Sequence, residues 1–215
     1  MCPHPIRPLR GRDVMTQDSN AIREAFRRHY ETDDSHWGGH SGGGSLPYWN
    51  IEYRAFLERF IHLNHIRSIV DIGCGDWQFS RFLNFEGIEY RGLDVVASVV
   101  DRNRARFGSP NVTFELMPGD LSLLPSADLV IMKDVLQHLP DNNIMEFKDV
   151  LDRYPRALVS NSYRKLNTPT NVDIAPGDFR CLDLTKPPYN FSGNYVLEFS
   201  TPLFEEIRTL LYVPR

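Results

Sequence analysis

The sequence predicts an α/β fold: a seven-stranded, mostly parallel sheet with an antiparallel last strand and helices on both faces, preceded by a short N-terminal helical lid. Two observations predict it. Short apolar segments typical of buried strands alternate with segments of helical period between residues 68 and 160, and such alternation is typical of βαβ units and a parallel sheet. Two further strand-like segments, 195–200 and 208–213, follow with a turn between them.

The first 48 residues are predicted to form a tail, a helix and a lid. Residues 1–17 are rich in proline and arginine and have no period, so we interpret them as a mobile tail. Asp18 or Ser19 is suited to cap a helix that ends near residue 30. Five glycines follow within residues 37–45, which composition alone assigns to a flexible linker. A linker rarely needs Trp37, so a loop folded over a site is the alternative.

Residues 49–215 are predicted to form the main domain. Helices are expected over 49–64, 77–85, 97–107 and 140–154, and strands over 68–72, 90–95, 112–117, 128–132 and 157–160. The segment 161–190 contains four prolines and has no clear period. A long stretch of this kind inside a compact domain indicates a binding loop or a missed element, and we interpret it as the loop that selects the substrate.

Composition argues against several functional classes. The formal net charge of −4 disfavours a general nucleic-acid binder, so we expect no nucleic-acid partner. Cys2, Cys74 and Cys181 are too few and too far apart for a disulfide framework, and no histidines and carboxylates have ligand spacing, so no metal is expected. Neither a secretory signal nor an apolar run of about 18 residues is visible, which predicts a cytoplasmic protein away from membranes. We expect a monomer or homodimer.

The strongest local signal is the segment 70–77, Val-Asp-Ile-Gly-Cys-Gly-Asp-Trp, between the first strand and the helix predicted after it. Glycines there permit a tight turn and a close approach of the backbone to a ligand, and a helix N-terminus offers free N–H groups. Asp94 ends the second predicted strand, 23 residues after Asp71. A carboxylate at that position is placed to accept hydrogen bonds from the ribose hydroxyls of an adenosine.

Two details separate the nucleotide cofactors that use such a corner. The dinucleotide fingerprint requires a third glycine three residues after the second, and this chain has Gln78 there. Asp71 precedes the glycines, where it would repel a pyrophosphate but suits a ligand that carries an ammonium and a sulfonium. The corner therefore favours S-adenosylmethionine, and an NAD(P)-dependent oxidoreductase is the disfavoured alternative.

The ordered motifs resemble those of the class I S-adenosylmethionine-dependent methyltransferases, which have a Rossmann-like fold. The resemblance covers about residues 49–160 and rests on Asp71-Ile-Gly-Cys-Gly75, Asp94, Gly119-Asp120-Leu121 and Asp128-Leu-Val-Ile131. Further segments resemble a less characterised bacterial-type subgroup that acts on small molecules or saccharides. These segments are Trp37 with 41–45, then 133–139, 177–183 and Pro187-Pro188.

The resemblance implies which residues hold the cofactor. Those expected at its methionine part are Asp71, Gly73, Cys74 and Gly75, with Asp71 near the ammonium. Those expected at its ribose and adenine are Asp94, Val95, Asp120 and Leu121. Those expected near the sulfonium, or folded over the cofactor, are Lys133, Asp134 and Trp37.

Methyl transfer from a sulfonium is an in-line displacement, so the enzyme's main task is to align the acceptor with the methyl group. A hydroxyl acceptor also loses a proton, and a general base assists that loss. Asp134 and His138 are four residues apart and would share a face if the chain is helical there. His138 would then be the base and Asp134 would orient it. The alternative is that His138 only closes a turn before Pro140.

The residues that select the acceptor are expected within 161–190. The candidates are Asn161, Tyr163, Asp178 and Arg180. Neutral and acidic hydrogen-bonding groups suit a saccharide, whereas Arg180 would grip a carboxylate or phosphate. The alternative is a capping loop in which Asp178 and Arg180 pair with the backbone or with each other. We expect methyl transfer to an oxygen of a small molecule or saccharide. A nitrogen acceptor and a cofactor-binding module without catalysis are the alternatives.

Overall fold

The computed structural model describes residues 13–32, 37, 40–202 and 205–214 of the chain. The helices are α1 (Asp13–Glu31), α2 (Ile51–Leu63), α3 (Ala97–Phe107) and α4 (Asp141–Leu151). The strands are β1 (Ser68–Ile72), β2 (Glu89–Asp94), β3 (Val112–Leu116), β4 (Leu129–Lys133), β5 (Ala157–Lys165), β6 (Asn194–Thr201) and β7 (Glu205–Tyr212). Within the described residues, no helix has the length and apolar character needed to cross a membrane.

The seven strands form one sheet in the order β3-β2-β1-β4-β5-β7-β6. Strands β1 to β5 pair in parallel, and β7 pairs antiparallel with both β5 and β6. The predicted fold class, with its reversed last strand, is confirmed. The order of the strands changes direction between β1 and β4, and ligands of open α/β sheets bind at the carboxyl ends of the strands beside such a point.

Both faces of the central strands are buried. In β1, Val70 belongs to the apolar cluster that α4 covers, whereas Ile69 belongs to the cluster that α2 covers. In β4, Val130 belongs to the cluster that α4 covers and Leu129 belongs to the cluster that α2 covers. This alternation follows from the period of two along a strand, and burial on both sides explains the nearly continuous apolar sequence of these strands.

The helix predicted over 77–85 is wrong. The chain forms only a 3-10 turn at Ser80–Phe82, because Trp77 has a left-handed backbone with φ of 57°. A left-handed residue does not continue an α-helix. The Trp77 ring is buried 5.6 Å from Phe85 and 5.2 Å from Phe114, and its indole N–H donates to the Tyr90 hydroxyl at 2.9 Å. These contacts hold the ring in the core and fix the turn.

Several segment boundaries also differ from the prediction. Strand β7 begins at Glu205, three residues before its predicted start, and α4 ends at Leu151, three residues before its predicted end. Helix α1 begins at Asp13, so residues 13–17 are helical although they were assigned to the tail, and residues 1–12 lie outside the described residues. Strand β5 continues to Lys165, five residues past its predicted end. It does so because β7 pairs with it along its length, from Ala157 opposite Tyr212 to Lys165 opposite Glu205.

Candidate active site

A cavity of about 320 Å³ lies at the carboxyl ends of the central strands. Ile72 at the end of β1, Asp94 at the end of β2 and Lys133 at the end of β4 contribute to its wall. Helix α1, the glycine segment before α2, and α4 complete the lining. Its volume is within the range of small-molecule sites, and its position is where sheets of this topology bind ligands.

The glycine corner after β1 is closely packed. The Gly73 N–H donates to the Leu93 carbonyl at 2.8 Å, and the φ of Gly73 is 73°. A Cβ there would lie 2.4 Å from Cγ2 of Val135. At Gly75, with φ of 55°, a Cβ would lie 2.3 Å from Oγ of Ser41. Both positions need glycine, because the loop after β4 and the segment before α2 lie directly against the corner.

Asp94 meets this corner from β2. Its Oδ2 accepts from the Gly75 N–H at 3.0 Å and its Oδ1 accepts from the Val96 N–H at 2.9 Å. The sequence predicted a helix N-terminus with free N–H groups at this corner. The structure has no α-helix there, and the Gly75 N–H already donates to Asp94. Each carboxylate oxygen has two acceptor positions, so each keeps one for a ligand hydroxyl. Burial raises the pKa of Asp94 to about 6.

Asp71 is buried at the bottom of the same corner. Its Oδ2 accepts from the Tyr90 hydroxyl at 2.6 Å, and that hydroxyl accepts from the Trp77 indole. Burial, aided by the nearby Asp94 carboxylate and opposed by the Tyr90 hydrogen bond, raises the pKa of Asp71 to about 7. A buried carboxylate of this kind is stabilised by an added cation nearby, because opposite charge offsets the loss of hydration. Asp71 and Asp94 thus fit a ligand with both an ammonium and ribose hydroxyls.

The loop after β4 brings two charged groups into the cavity. Nζ of Lys133 pairs with Oδ2 of Asp134 and donates to the Gly44 carbonyl at 3.2 Å. Asp134 has φ of 57°, and its N–H donates to the Ser160 carbonyl at 2.8 Å. Its Oδ1 is buried and has no hydrogen-bond partner among the described residues. A buried acceptor without a partner carries a desolvation penalty that a ligand donor would remove.

The expectation that Asp134 and His138 share a helical face is wrong. The left-handed backbone of Asp134 breaks the chain before a 3-10 turn at Leu136–His138, and the Asp134 carboxylate pairs with Lys133. Nδ1 of His138 instead lies 2.8 Å from the Asp178 carbonyl oxygen. A carbonyl only accepts hydrogen bonds, so Nδ1 carries the proton and Nε2 keeps its lone pair.

His138 is held neutral by its surroundings. Burial lowers its pKa to about 4, although the Asp178 carbonyl opposes that shift. Nε2 of His138 has one long contact, 3.4 Å from Nε2 of Gln137, whose Oε1 accepts from the Ser162 N–H at 2.7 Å. A contact of that length is weak, so the lone pair remains open to a closer donor. The imidazole is also packed against the ring of Trp37, at 5.1 Å between centroids.

The glycine segment of residues 40–45 folds onto the corner, and its role as a lid over the cofactor stays a prediction. Oγ of Ser41 donates to Oδ1 of Asp76 at 2.5 Å and accepts from the Asp76 N–H at 2.9 Å. The Tyr30 hydroxyl of α1 is 2.8 Å from the same oxygen. Trp37 stacks on His29 at 4.3 Å and lines the cavity. Side chains of α1 and the glycine segment thus cover the site together.

Most of the residues predicted for the cofactor line the cavity. They are Trp37, Asp71, Gly73, Cys74, Gly75, Asp94, Val95, Leu121, Lys133 and Asp134, and the predicted base His138 joins them. Asp120 is not part of this lining. It is exposed, and its Oδ1 accepts from the Ser122 N–H at 2.9 Å, which caps the turn after β3. In the described part of the chain, no three His, Cys, Asp or Glu side chains are grouped to hold a metal.

The four residues predicted for the acceptor do not line the cavity. Asn161 is buried, and its Oδ1 accepts from the Gln137 N–H at 3.2 Å. The ring of Tyr163 lies 3.5 Å from the Arg208 guanidinium. Asp178 contributes through its carbonyl, which orients His138.

Arg180 is fully buried. It donates from Nη2 to the Leu139 carbonyl at 2.7 Å and pairs with Asp141 at 3.2 Å. Its guanidinium therefore secures the loop that carries Asp178 and does not reach the acceptor space. The capping alternative describes this residue better than the anion-binding one.

Several residues of the lining were not predicted. They are Arg23 of α1, Glu146 of α4, Lys165 at the end of β5 and Glu205 at the start of β7. Lys165 and Glu205 form an ion pair with 2.5 Å between Nζ and Oε1. The missed signal was the length of β5, because a strand that continues to residue 165 places that residue at the carboxyl edge of the sheet.

A sequence profile of the methyltransferase domain matches residues 69–161, which include all but the first residue of β1, strands β2 to β4 and helices α3 and α4. This segment of the chain is therefore similar to a methyltransferase domain, as its ordered motifs predicted. The buried carboxylates of Asp71 and Asp94, with the Oδ1 of Asp134 that has no partner among the described residues, fit the cationic and hydroxyl groups of S-adenosylmethionine. None of the curated proteins matches the chain in sequence.

Solved structures share the fold of this chain. Magnesium protoporphyrin IX methyltransferase ChlM from Synechocystis PCC 6803 with bound SAH is 17% identical, with a TM-score of 0.59 over 94% of this chain and 98% of that one. The DhpI–SAH complex is 19% identical, with a TM-score of 0.57 over 94% and 98%. The N-terminal domain of EvdMO1, in the presence of SAH and D-fucose, is 16% identical, with a TM-score of 0.53 over 75% and 83%.

Proposed function

We propose that this chain transfers the methyl group of S-adenosylmethionine to an oxygen of a small molecule or saccharide. The observation that carries the proposal is the imidazole of His138, whose Nδ1 donates to the Asp178 carbonyl and whose Nε2 therefore keeps its lone pair. It lines the same cavity as the carboxylates of Asp71 and Asp94, and the Asp178 carbonyl fixes its proton on Nδ1. A hydroxyl acceptor loses a proton as it is methylated, and a lone pair on Nε2 is suited to receive it.

The cofactor-binding residues have distinct roles in this proposal. When bound, S-adenosylmethionine supplies a methyl group already activated on a positively charged sulfur. Asp71 would pair with its ammonium and Asp94 would accept from its ribose hydroxyls. Val95 and Leu121 offer apolar contacts to the adenine. Asp120 remains a predicted contact of the adenine amino group.

Water exclusion is the second role of the chain. The rings of Trp37, Phe26 and Phe179 lie within 5.1 to 6.3 Å of the His138 ring, between centroids. They cover the imidazole and leave an acceptor as the group that reaches Nε2. Holding the acceptor oxygen in line with the methyl group supplies a large share of the rate enhancement in reactions of this kind.

The test is the His138→Ala variant, assayed by SAH formation over a panel of hydroxyl compounds. Turnover should fall by about 10²- to 10⁴-fold, and the affinity for S-adenosylmethionine should stay unchanged. His62→Ala, at an exposed position of α2, is the matched control. Unchanged turnover in His138→Ala would make the residue structural, and cofactor binding without turnover of any acceptor would indicate a binding module.

The pH dependence gives a second readout of the same role. Because the pKa of His138 is lowered to about 4, the imidazole stays neutral throughout the range from pH 6 to 8. Turnover at saturating S-adenosylmethionine should therefore show no fall from protonation of His138 in that range, and this residue should lower it only as the pH approaches 4. A loss of activity with a midpoint near 6.5, absent in His138→Gln, would contradict the buried, neutral state of the residue.

A further inference from the structure

Lys165 and Glu205 form a charged pair in the wall of the cavity on the side of β5 and β7. Oε2 of Glu205 also accepts from the Ser162 hydroxyl at 3.2 Å. The Lys165 side chain is 35% exposed and the Glu205 side chain is 10% exposed. The cofactor roles proposed above use neither residue, so the pair is open to act on the acceptor.

The charges of this pair cancel. The Lys165 ammonium is 2.5 Å from the Glu205 carboxylate. An anionic ligand would therefore meet an ammonium whose charge the carboxylate already balances, and a cationic ligand would meet a carboxylate whose charge the ammonium already balances. Hydrogen-bonding capacity remains on both sides. An ammonium has three donors, and a carboxylate oxygen accepts two hydrogen bonds. The pair thus presents spare donors next to spare acceptors, which is what two adjacent hydroxyl groups require.

The pair is also connected to the proposed base. Nζ of Lys165 lies 5.2 Å from the centroid of the Phe179 ring, and that ring lies 5.8 Å from the His138 ring. A chain of hydrogen-bonded polar groups also connects the ion pair to the base. It runs from Glu205 through Ser162 and Gln137 to Nε2 of His138. An acceptor that spans this interval meets Gln137 and the Phe179 ring, which line the cavity, whereas Ser162 is buried outside the lining and connects Gln137 to Glu205.

We propose that Lys165 and Glu205 bind a vicinal diol of an uncharged saccharide while another hydroxyl of the same ring meets His138. Glu205 accepts from one hydroxyl of the diol and Lys165 donates to the oxygen of its neighbour. The aromatic face of Phe179 packs against the C–H face of the ring. This inference rests on the proposed function, which it narrows from oxygen acceptors in general to neutral polyhydroxylated rings.

The test is calorimetric titration of the SAH-loaded protein with methyl α-D-mannopyranoside, methyl α-D-glucopyranoside and methyl β-D-galactopyranoside, each compared with its uronate. The wild type should bind at least one neutral glycoside more tightly than the matching uronate. Lys165→Met should weaken that binding by about tenfold or more, the value of a charge-assisted hydrogen bond. Lys186→Met, at an exposed lysine away from the cavity, should leave it unchanged.

The Glu205→Gln variant tests ligand preference without a large change in the shape of the side chain. It keeps the shape of the side chain but leaves the Lys165 ammonium without its counter-charge, so preference should move from the neutral glycoside to the uronate. The exchange of both residues, Lys165→Glu with Glu205→Lys, should retain the neutral preference because donors and acceptors remain side by side. A folded Glu205→Gln protein that keeps the wild-type preference would overturn the inference.

Two further results would also overturn it: tighter binding of uronates by the wild type, or no binding of any neutral glycoside of the panel. The proposed function fails separately. Methyl transfer to a mono-alcohol such as cyclohexanol, with no transfer to any glycoside, refutes the diol site and leaves oxygen methylation standing. Binding of S-adenosylmethionine without transfer to any hydroxyl compound refutes oxygen methylation itself.

Discussion

The affinity of the chain for S-adenosylmethionine should depend on pH through Asp71. Burial raises the pKa of that carboxyl to about 7 in the cofactor-free protein, while the cofactor's ammonium requires the ionised form. An α-amino group has a pKa of about 7.7 to 8.0, so it stays charged up to pH 7. Between pH 5.5 and 7 the ionised fraction of Asp71 rises about fifteenfold, and the affinity should rise with it.

Asp94 adds a smaller dependence with the same sign. With a pKa raised to about 6, its ionised fraction rises about fourfold over the same interval. The Asp71→Asn variant should therefore bind about tenfold to a hundredfold more weakly at pH 7, since it loses a charge-assisted hydrogen bond. Its residual dependence on pH should be only that of Asp94. Glu52→Gln, at an exposed residue of α2, serves as the control.

The assay is calorimetric titration with S-adenosylmethionine at four pH values from 5.5 to 7. Repeating the titration at pH 6 in two buffers of different ionisation enthalpy measures the protons released, and Asp71 should release about one. An affinity that stays constant across this range in the wild type, with no proton release, would show that Asp71 is already ionised or does not meet the ammonium. Either result would refute the role proposed for its burial.

Two further predictions concern packing around the site. Gly73→Ala should destabilise the protein by about 1–3 kcal/mol more than Gly87→Ala. The two glycines have nearly the same φ, 73° and 70°, so the backbone strain is matched. The added Cβ would lie 2.4 Å from Val135 at the first position and 3.6 Å from the flexible tip of Arg67 at the second. Urea denaturation measures both, and equal losses would leave backbone conformation as the whole effect. Arg180→Met should cost about 1–3 kcal/mol by the same measurement, since it removes a fully buried guanidinium and leaves the Leu139 carbonyl without its donor, while Asp141 stays partly exposed. Arg164→Met, whose pair is exposed, should leave stability nearly unchanged.

The sheet was predictable because its signal is local. In β4 the four residues before Lys133 are all apolar, and in β1 only Asp71 breaks the apolar run from Ile69 to Ile72; a strand covered on both faces needs that composition. Asp71 and Asp94 were predictable for a related reason. Each is a charged residue near the end of an apolar strand segment, where the strand leaves the core. Their positions follow from where strands end, which the sequence shows directly.

Trp77 marks where local signals failed. An apolar residue after a glycine corner suits a helix by period, but the indole is fixed by Tyr90, Phe85 and Phe114, which come from later parts of the chain. The same applies to His138. Its orientation depends on the Asp178 carbonyl, 40 residues away, and the nearer carboxylate of Asp134 is taken by Lys133. Pairings of this kind depend on tertiary contacts, which spacing along a helix does not encode.

The reversed strand explains why the acceptor side was hardest to predict. Parallel strands all bring their carboxyl ends to the active edge, so sequence reasoning searches the residues that follow each strand. Strand β7 runs the other way and brings its first residue there, which places Glu205 directly opposite Lys165, the last residue of β5. One partner ends a strand and the other begins one, 40 residues later. The pair proposed to recognise the acceptor therefore exists because of the one strand that departs from the parallel rule.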